Sequence, residues 1–302
     1  VPGFGWKMGG GGRLALLWSL FCALSVQAVD FSGPATFPQS GPSLSALGVR
    51  LPGTDRDYLV SGTGTGFLSL NRYNPTGQFY SIMQQSFIGG EVVAMVPWRG
   101  RAAQDTGIVV ATANPDRVLF VEVDAIFPHL VVVAEVDLSE DPGGLAFVGH
   151  VDTGPWELAV SLPGVDRIAF LAEQGTGWGV YEEVGSGDRP SSMVSVDLDG
   201  DLVRELVVAQ TGPLSGTLGV FQRQSDASYE LRTIVLPGVL PSLVSASDLD
   251  IDGHDELVVG RSDAEQVVIY AASAGVLSEF GRIALSFKAE SLQMNTLSGG
   301  AP

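Results

Sequence analysis

Short apolar segments recur along the chain at a nearly constant spacing. The clearest are runs of β-branched and aliphatic residues that follow an acidic or polar residue, centred on Leu59, Val109, Leu158, Leu206 and Leu257. Neighbouring runs lie about 50 residues apart. Because self-similarity at a fixed period is typical of repeat architectures, the chain is predicted to consist of similar structural units.

Each unit contains three further apolar segments besides the central run. In the fifth unit these begin at Leu243, Val267 and Glu279. Clusters of Gly, Pro, Asp and Ser separate the segments, and the residues after 28 show no convincing 3.6-residue helical period. Four short antiparallel strands in each unit describe the blade of a β-propeller. The predicted fold class is therefore all-β, a β-propeller of four-stranded antiparallel blades.

The repeat defines the domain organisation. A β-sandwich would also contain many short strands, but it gives no reason for a fixed period. The propeller is assigned to residues 43–302, with blades at about 43–90, 91–142, 143–190, 191–240 and 241–290 and a partial blade at 291–302. Residues 29–42 form an N-terminal segment that could supply a closing strand. Two interpretations remain open: a truncated ring of six or seven blades, and an intact ring of five.

The composition narrows the range of partners. Hydrophobic residues make up 45% of the 302 residues, which excludes a disordered chain. The 34 acidic residues outnumber the 16 Lys and Arg, so the formal net charge is -18. Because such a surface repels phosphate backbones and anionic lipids, nucleic acid and electrostatic membrane attachment are disfavoured as partners. The same carboxylates suit a divalent cation.

The first 28 residues have the order of a secretory signal peptide. Lys7 and Arg13 form a basic region, residues 14–26 an apolar region, and Val26-Gln27-Ala28 a small-residue cleavage site. Cleavage after Ala28 is predicted, and the protein is expected to be secreted. A membrane anchor is the alternative, but the apolar region is shorter than the ~20 residues needed to span a bilayer.

The single cysteine, Cys22, lies inside the predicted signal peptide. The secreted chain would therefore contain no disulfide bond. Secreted proteins without disulfides commonly need another link to hold their loops, and bound calcium can serve that purpose. No transmembrane segment is predicted in the mature chain.

The loop between the first two strands of the fifth unit has the pattern of a calcium site. Its candidate ligands are the side chains of Asp248, Asp250, Asp252 and Glu256 and the backbone carbonyl of His254. Gly253 permits the positive φ that turns the chain around an ion. An EF-hand is excluded because its twelfth position requires Glu, whereas Val259 stands there and the acid falls at the ninth position.

The fourth unit contains a second loop that aligns without gaps. Its candidate ligands are Asp197, Asp199, Asp201, the carbonyl of Val203, and Glu205. Leu202 replaces the glycine, so this turn is expected either to hold a non-glycine residue in an unfavourable backbone conformation or to adopt a different one. An acidic turn without an ion is the alternative, but closely spaced carboxylates repel one another unless a cation neutralises them. The corresponding loop of the third unit, Asp152–Glu157, is too short to surround an ion.

These residues carry a resemblance to a known family. The pattern D-x-D-x-D-G-x-x-E-L-V-V between two strands of a 50-residue unit resembles the FG-GAP/VCBS repeat found in integrin α-chain propellers and in many secreted propellers. The resemblance implies a structural Ca²⁺ in these loops and ligand recognition by loops of other blades. The Gly-Ala-Pro half of the family signature is absent, with Gly260-Arg261-Ser262 in its place.

The function expected from these features is a secreted, calcium-binding propeller that serves as a binding, adhesion or scaffold module. Its partner would be an unidentified extracellular protein or glycan. An enzyme is not expected, because the three histidines are isolated and no nucleophile or metalloprotease motif is present. The alternative is the propeller portion of an extracellular polysaccharide-active hydrolase or lyase, for which the candidate acids are Glu122, Asp124, Glu182 and Glu183.

Overall fold

A computed structural model describes twelve segments of the chain. They are residues 43–50, 57–74, 79–99, 106–123, 129–148, 157–175, 177–199, 203–212, 216–224, 228–249, 254–273 and 276–286. Within these segments the regular structure consists of β-strands alone. They contain no helix long and apolar enough to cross a membrane. The predicted signal peptide, the segment 29–42 and the predicted start of a sixth blade lie outside the described residues.

The strands form five sheets of four consecutive strands each. Blade 1 contains β1 (Ser43–Arg50), β2 (Asp57–Thr63), β3 (Phe67–Asn74) and β4 (Phe79–Phe87). Blade 2 contains β5 (Glu91–Arg99), β6 (Thr106–Ala113), β7 (Arg117–Val123) and β8 (Leu130–Asp137). Blade 3 contains β9 (Leu145–Val148), β10 (Glu157–Leu162), β11 (Arg167–Gln174) and β12 (Gly177–Gly185). Blade 4 contains β13 (Pro190–Val196), β14 (Glu205–Gln210), β15 (Thr217–Arg223) and β16 (Tyr229–Val235). Blade 5 contains β17 (Pro241–Ser247), β18 (Glu256–Arg261), β19 (Gln266–Ser273) and β20 (Val276–Ala284).

The sheets are arranged as propeller blades. Within each sheet every strand pairs antiparallel with the next strand in sequence. The first strand of each blade contacts the first strand of the following blade, so these strands lie innermost in the ring. The predicted fold class is confirmed: the described residues form an all-β propeller of five four-stranded antiparallel blades.

The second strand of each blade is buried on both of its faces. In β14, Leu206 and Val208 pack against blade 3, whereas Val207 and Ala209 pack against blade 5. Such a strand cannot alternate between apolar and polar residues, because each face meets a neighbouring sheet. This is why the repeat is visible in the sequence as continuous apolar runs.

The fourth strands lie at the outer edge of the ring and alternate in exposure. In β16 and β20 exposed residues alternate over most of the strand with residues that are partly covered. Large apolar side chains such as Phe87 and Val235 are exposed here. Each blade is therefore most strongly packed near its middle strands and least so at its outer edge.

Small residues let the innermost strands approach one another closely. A Cβ atom on Gly144, just before β9, would lie 2.4 Å from the carbonyl oxygen of Ser191 on β13. The Ser192 hydroxyl accepts a hydrogen bond from the Val244 amide at 3.1 Å, which joins β13 to β17. A larger side chain at either place would separate adjacent blades near the axis.

Three aromatic rings form the centre of the interface between blades 2 and 3. Phe120 on β7 meets Trp98 edge to face, with ring centroids 5.3 Å apart. On its other side Phe120 stacks on Trp178 of β12, with centroids 4.3 Å apart. Phe120 is completely buried. These contacts connect the innermost strand of blade 2 with the outermost strand of blade 3.

We expect Phe120→Ala to lower the free energy of unfolding by about 3–5 kcal/mol, because it removes a buried ring and leaves a cavity between two blades. Urea denaturation would measure this change. The matched control is Phe87→Ala, since Phe87 is 68% exposed and its loss should change stability by no more than about 0.5 kcal/mol. Equal losses for the two variants would contradict this account of the interface.

Candidate metal centre

Three carboxylates converge at the loop between β13 and β14. One oxygen from each of Asp197, Asp199 and Glu205 lies within 4.8 Å of the others. Asp197 is half-buried, Asp199 is exposed and Glu205 is buried. Clusters of acidic oxygens of this size can hold a metal ion. The structure thus brings together three of the residues that the sequence pattern selected in this loop.

Glu205 also orders the loop that precedes it. It is the first residue of β14, where it pairs with Val196. Its Oε2 accepts a hydrogen bond from the backbone N–H of Leu198 at 2.8 Å. The Leu198 side chain is buried in the core between blades 4 and 5. The loop is therefore fixed to the sheet by both its backbone and an apolar side chain.

The loop of blade 5 has the same arrangement at its two ends. Glu256 is the first residue of β18, and its Oε2 accepts a hydrogen bond from the Leu249 amide at 2.6 Å. Glu256 is buried, Asp248 is half-buried and His254 is exposed. The remaining predicted ligands and turn residues of the two loops lie outside the described residues, namely Asp201, Leu202, Asp250, Asp252 and Gly253.

Val203, whose carbonyl is the fourth predicted ligand of the blade 4 loop, is half-buried two residues before Glu205. The following residue, Arg204, connects the two loops. Its Nη1 lies 3.4 Å from Asp255 Oδ2 in the loop of blade 5, and it donates a hydrogen bond to the Ser195 carbonyl at 3.0 Å. Arg204 and Asp255 are equivalent residues: each is at the eighth position of its loop, counted from Asp197 and from Asp248. Sequence reasoning missed this link because it joins residues from different repeats.

A third buried glutamate occupies the corresponding place in blade 3. Glu157 is the first residue of β10, where it pairs with Val148. Its Oε1 accepts a hydrogen bond from Arg223 Nη2, and its Oε2 accepts one from the Tyr229 hydroxyl, both at 2.7 Å. Arg223 and Tyr229 belong to blade 4. Here the buried carboxylate is balanced by protein groups of the next blade.

The tyrosines near Glu157 have raised pKa values. Burial is the largest cause of the raised pKa of Tyr229, and its hydrogen bond to Glu157 adds to the effect. Burial is also the main cause of the raised pKa of Tyr181, and the negative charge of Glu157 is the second cause. Both phenols therefore remain protonated in the folded protein at pH values where exposed tyrosines ionise.

The sequence contains a partial signal for this third site. Glu157-Leu158-Ala159-Val160 matches the Glu-Leu-Val-Val segments that begin β14 and β18. The partners of the carboxylate are Arg223 and Tyr229, more than 60 residues further along the chain. Alignment of the repeats could therefore have indicated a buried glutamate, but not the residues that neutralise it.

A small open pocket adjoins the acidic cluster of blade 4. Its walls are Leu198 and Asp199 of the loop, Glu205 at the start of β14, and four residues of the two outer strands: Val220, Gln222, Arg232 and Ile234. Solvent reaches the cluster, since Asp199 is exposed.

The acidic residues considered for an enzyme lie elsewhere. Glu122 is on β7, and Glu182 and Glu183 are on β12, the outermost strand of blade 3. Glu183 accepts a hydrogen bond from Arg167 at 3.1 Å. Asp124 lies outside the described residues. The described acids of this set therefore lie away from the innermost strands.

Comparisons with solved structures give the fold. BBS1N, crystallised in complex with ARL6DN and soaked with lead, is 10% identical with a TM-score of 0.58, over 83% of this chain and 71% of that one. A functionally unknown protein from Desulfotomaculum acetoxidans is 12% identical with a TM-score of 0.58, over 82% and 71% of the two chains. A protein from Lactobacillus plantarum is 14% identical with a TM-score of 0.59, over 78% and 70%.

At these identities the likeness concerns the fold alone. No family model matches the chain. No curated protein matches it either. The propeller fold supports a binding or scaffold module in general, because functional sites of such folds lie in loops that differ between proteins.

We expect Tyr229→Phe to lower the free energy of unfolding by about 1–3 kcal/mol near pH 7, because a buried carboxylate oxygen loses its donor. The raised folded-state pKa of Tyr229 adds stability that is present below pH 10 and is lost as the pH rises further. Urea denaturation between pH 7 and pH 11 should therefore show stability falling above pH 10, and less steeply in the variant. Parallel curves for the two proteins would contradict this prediction.

Proposed function

We propose that this protein is a secreted calcium-binding β-propeller of the FG-GAP/VCBS type, which serves as an extracellular binding, adhesion or scaffold module. The observation that carries the calcium assignment is the convergence of Asp197, Asp199 and Glu205 in the loop between β13 and β14. The loop of blade 5, with its matching glutamate bond, is proposed as a second site.

The donor set favours calcium among the common metal ions. The cluster offers carboxylate oxygens, without the thiolate or imidazole ligands that zinc prefers. Calcium accepts irregular shells of six to eight oxygens, whereas magnesium requires a nearly ideal octahedron and retains several waters. The carboxylates come from one loop and from the start of a strand, and such an irregular set of oxygen donors suits calcium best.

The proposed role of the ion is structural. Asp197 and Asp199 would hold it from the loop, and Glu205 would hold it from the first residue of β14. Asp201 and the Val203 carbonyl complete the set in the sequence pattern. In blade 5 the corresponding residues are Asp248, Asp250, Asp252, the His254 carbonyl and Glu256. Bound calcium would neutralise the crowded carboxylates and fix each loop to its second strand.

A binding module is supported by the fold and by a structural neighbour. BBS1N, which has a similar fold, was crystallised in complex with a protein, ARL6DN. For this chain we propose an extracellular protein or glycan as the partner, without catalysis. Secretion is supported by the order of the first 28 residues, from Lys7 and Arg13 through the apolar region to Ala28.

Calcium should stabilise the folded protein. By linkage, calcium at about 100 times its dissociation constant adds about 2.7 kcal/mol for each site. We therefore expect EDTA to lower the melting temperature measured by calorimetry, and Asp199→Asn to remove part of that difference. The control is Glu265→Gln, since Glu265 is an exposed carboxylate outside both loops. Identical melting curves of the wild type in EDTA and in millimolar calcium would exclude the calcium sites.

The functional class can be tested on the secreted protein. We expect material from a secreting host to begin at Val29, which N-terminal sequencing would establish. This material should be retained by at least one component of an array of matrix proteins and glycans. It should not turn over a panel of polysaccharides. Turnover that is lost with Glu182→Gln or Glu183→Gln would favour the enzyme alternative instead.

A further inference from the structure

Each of the five blades ends in the same way. The residue that follows the fourth strand donates a backbone hydrogen bond to the carbonyl of the residue that precedes the third strand. These bonds run from Ile88 to Gly66 at 2.8 Å, Leu138 to Asp116 at 2.9 Å, Ser186 to Asp166 at 2.9 Å, Leu236 to Gly216 at 2.6 Å and Leu285 to Glu265 at 2.8 Å. In blades 1 to 4 the first strand of the next blade begins within seven residues of the donor. The chain therefore leaves blade 5 in the way that it leaves a blade with a successor.

In most blades the donor of this bond also carries an apolar side chain that packs between its own blade and the next. Ile88 belongs to the core that blades 1 and 2 share, and Leu236 belongs to the core that blades 4 and 5 share. Leu138 packs against the core between blades 2 and 3. The equivalent Leu285 packs against a further apolar cluster on blade 5. By its position, Leu285 marks an interface on the side of blade 5 that faces away from blade 4.

This far face of blade 5 has the composition of an interface between blades. Its central residues are Val258, Val267 and Ile269, which are 3–4% exposed. By strand pairing they are equivalent to the residues with which blade 4 packs on blade 5: Val207, Leu218 and Val220. The described apolar side chains in the cluster all belong to blade 5 itself. Within the described part of the chain, blade 5 therefore presents one half of an interface.

Blade 1 does not offer the matching half. On its side away from blade 2, Ser61 pairs with Ser69, where in blade 2 the apolar pair Val110 and Leu119 packs on the preceding blade. Asn71 lies on the same polar face, and its amide donates hydrogen bonds to the Ser61 hydroxyl and the Ser69 carbonyl. Among the described strands, β17 and β1 also make no contact comparable to those between the innermost strands of the other neighbouring blades. The apolar face of blade 5 therefore needs a different partner.

We propose that the C-terminal segment, residues 287–302, packs on this face of blade 5 and supplies the innermost strand of a further blade beside it. The segment follows directly on the bonded Leu285, at the place where each earlier blade leads into the next. It contains four large apolar residues that can cover the face: Phe287, Leu292, Met294 and Leu297. Burial of these side chains against blade 5 is the driving force of the docking. The inference goes beyond the proposed function and does not rest on the calcium sites.

The first test weakens the docking in the full chain. A triple variant places carboxylates against the apolar face, which is costly: Leu292→Asp, Met294→Asp and Leu297→Asp. Hydrogen exchange of the β17 and β18 amides should then accelerate by about tenfold or more, while exchange in β9 and β10 stays unchanged. The matched control adds the same charge beyond the apolar residues and should exchange as the wild type does: Ser298→Asp, Gly299→Asp and Gly300→Asp. Wild-type exchange of β17 and β18 in the first variant would overturn the inference.

Photo-crosslinking tests the same inference with the apolar residues intact. Benzoylphenylalanine in place of Gln293 should form crosslinks to β17 or β18 of the same molecule, which mass spectrometry would map. The control places the same group at Thr65, an exposed residue of the turn after β2, and should give no crosslink to β17 or β18. Crosslinks from position 293 to blade 1 alone, to a second molecule, or to no residue at all would overturn the inference, even if the triple variant failed to fold.

Discussion

Each blade of this propeller must bury both faces of a four-stranded sheet, and only its neighbours can cover them. β14 shows the consequence, since Leu206 contacts the core with blade 3 while Val207 contacts the core with blade 5. No blade can therefore be stable by itself in this form, because an isolated sheet would leave one or both apolar faces in water. The close approach of Gly144 to Ser191 near the axis follows from the same packing.

The buried glutamates conflict with that apolar packing. A carboxylate between two sheets needs hydrogen bonds and a counter-charge, since its transfer from water is otherwise costly. Blade 4 supplies both to Glu157 through Arg223 and Tyr229. At Glu205 the carboxylate accepts the Leu198 amide and lies with two aspartates in a cluster that could hold a metal ion. One structural position thus has two different chemical environments: the partners of Glu157 come from the next blade, whereas the groups described beside Glu205 come from the loop of its own blade.

Much of the fold could be predicted from the sequence. The runs at Leu158, Leu206 and Leu257 lie in equivalent second strands, as the 50-residue repeat indicated. A strand covered on both faces selects apolar residues at every position, so its pattern is local and survives in each repeat. The aromatic contacts of Phe120 were not predictable in the same way. Trp98 and Trp178 reach it from different blades, and their spacing in sequence has no fixed relation to the contact.

The same distinction between local pattern and contacts across repeats applies to the candidate site. Asp197, Asp199 and Glu205 could be selected from the loop pattern alone, because residues of one short loop must be close in space whatever the rest of the fold does. Only the folded arrangement shows which residues of another blade reach a buried glutamate. Glu157 accepts a hydrogen bond from Arg223 of blade 4, whereas Ala272 stands at the position of blade 5 that corresponds to Arg223. That difference depends on the register between separate repeats, and register across a packed interface is fixed by long-range side-chain packing rather than by any local segment.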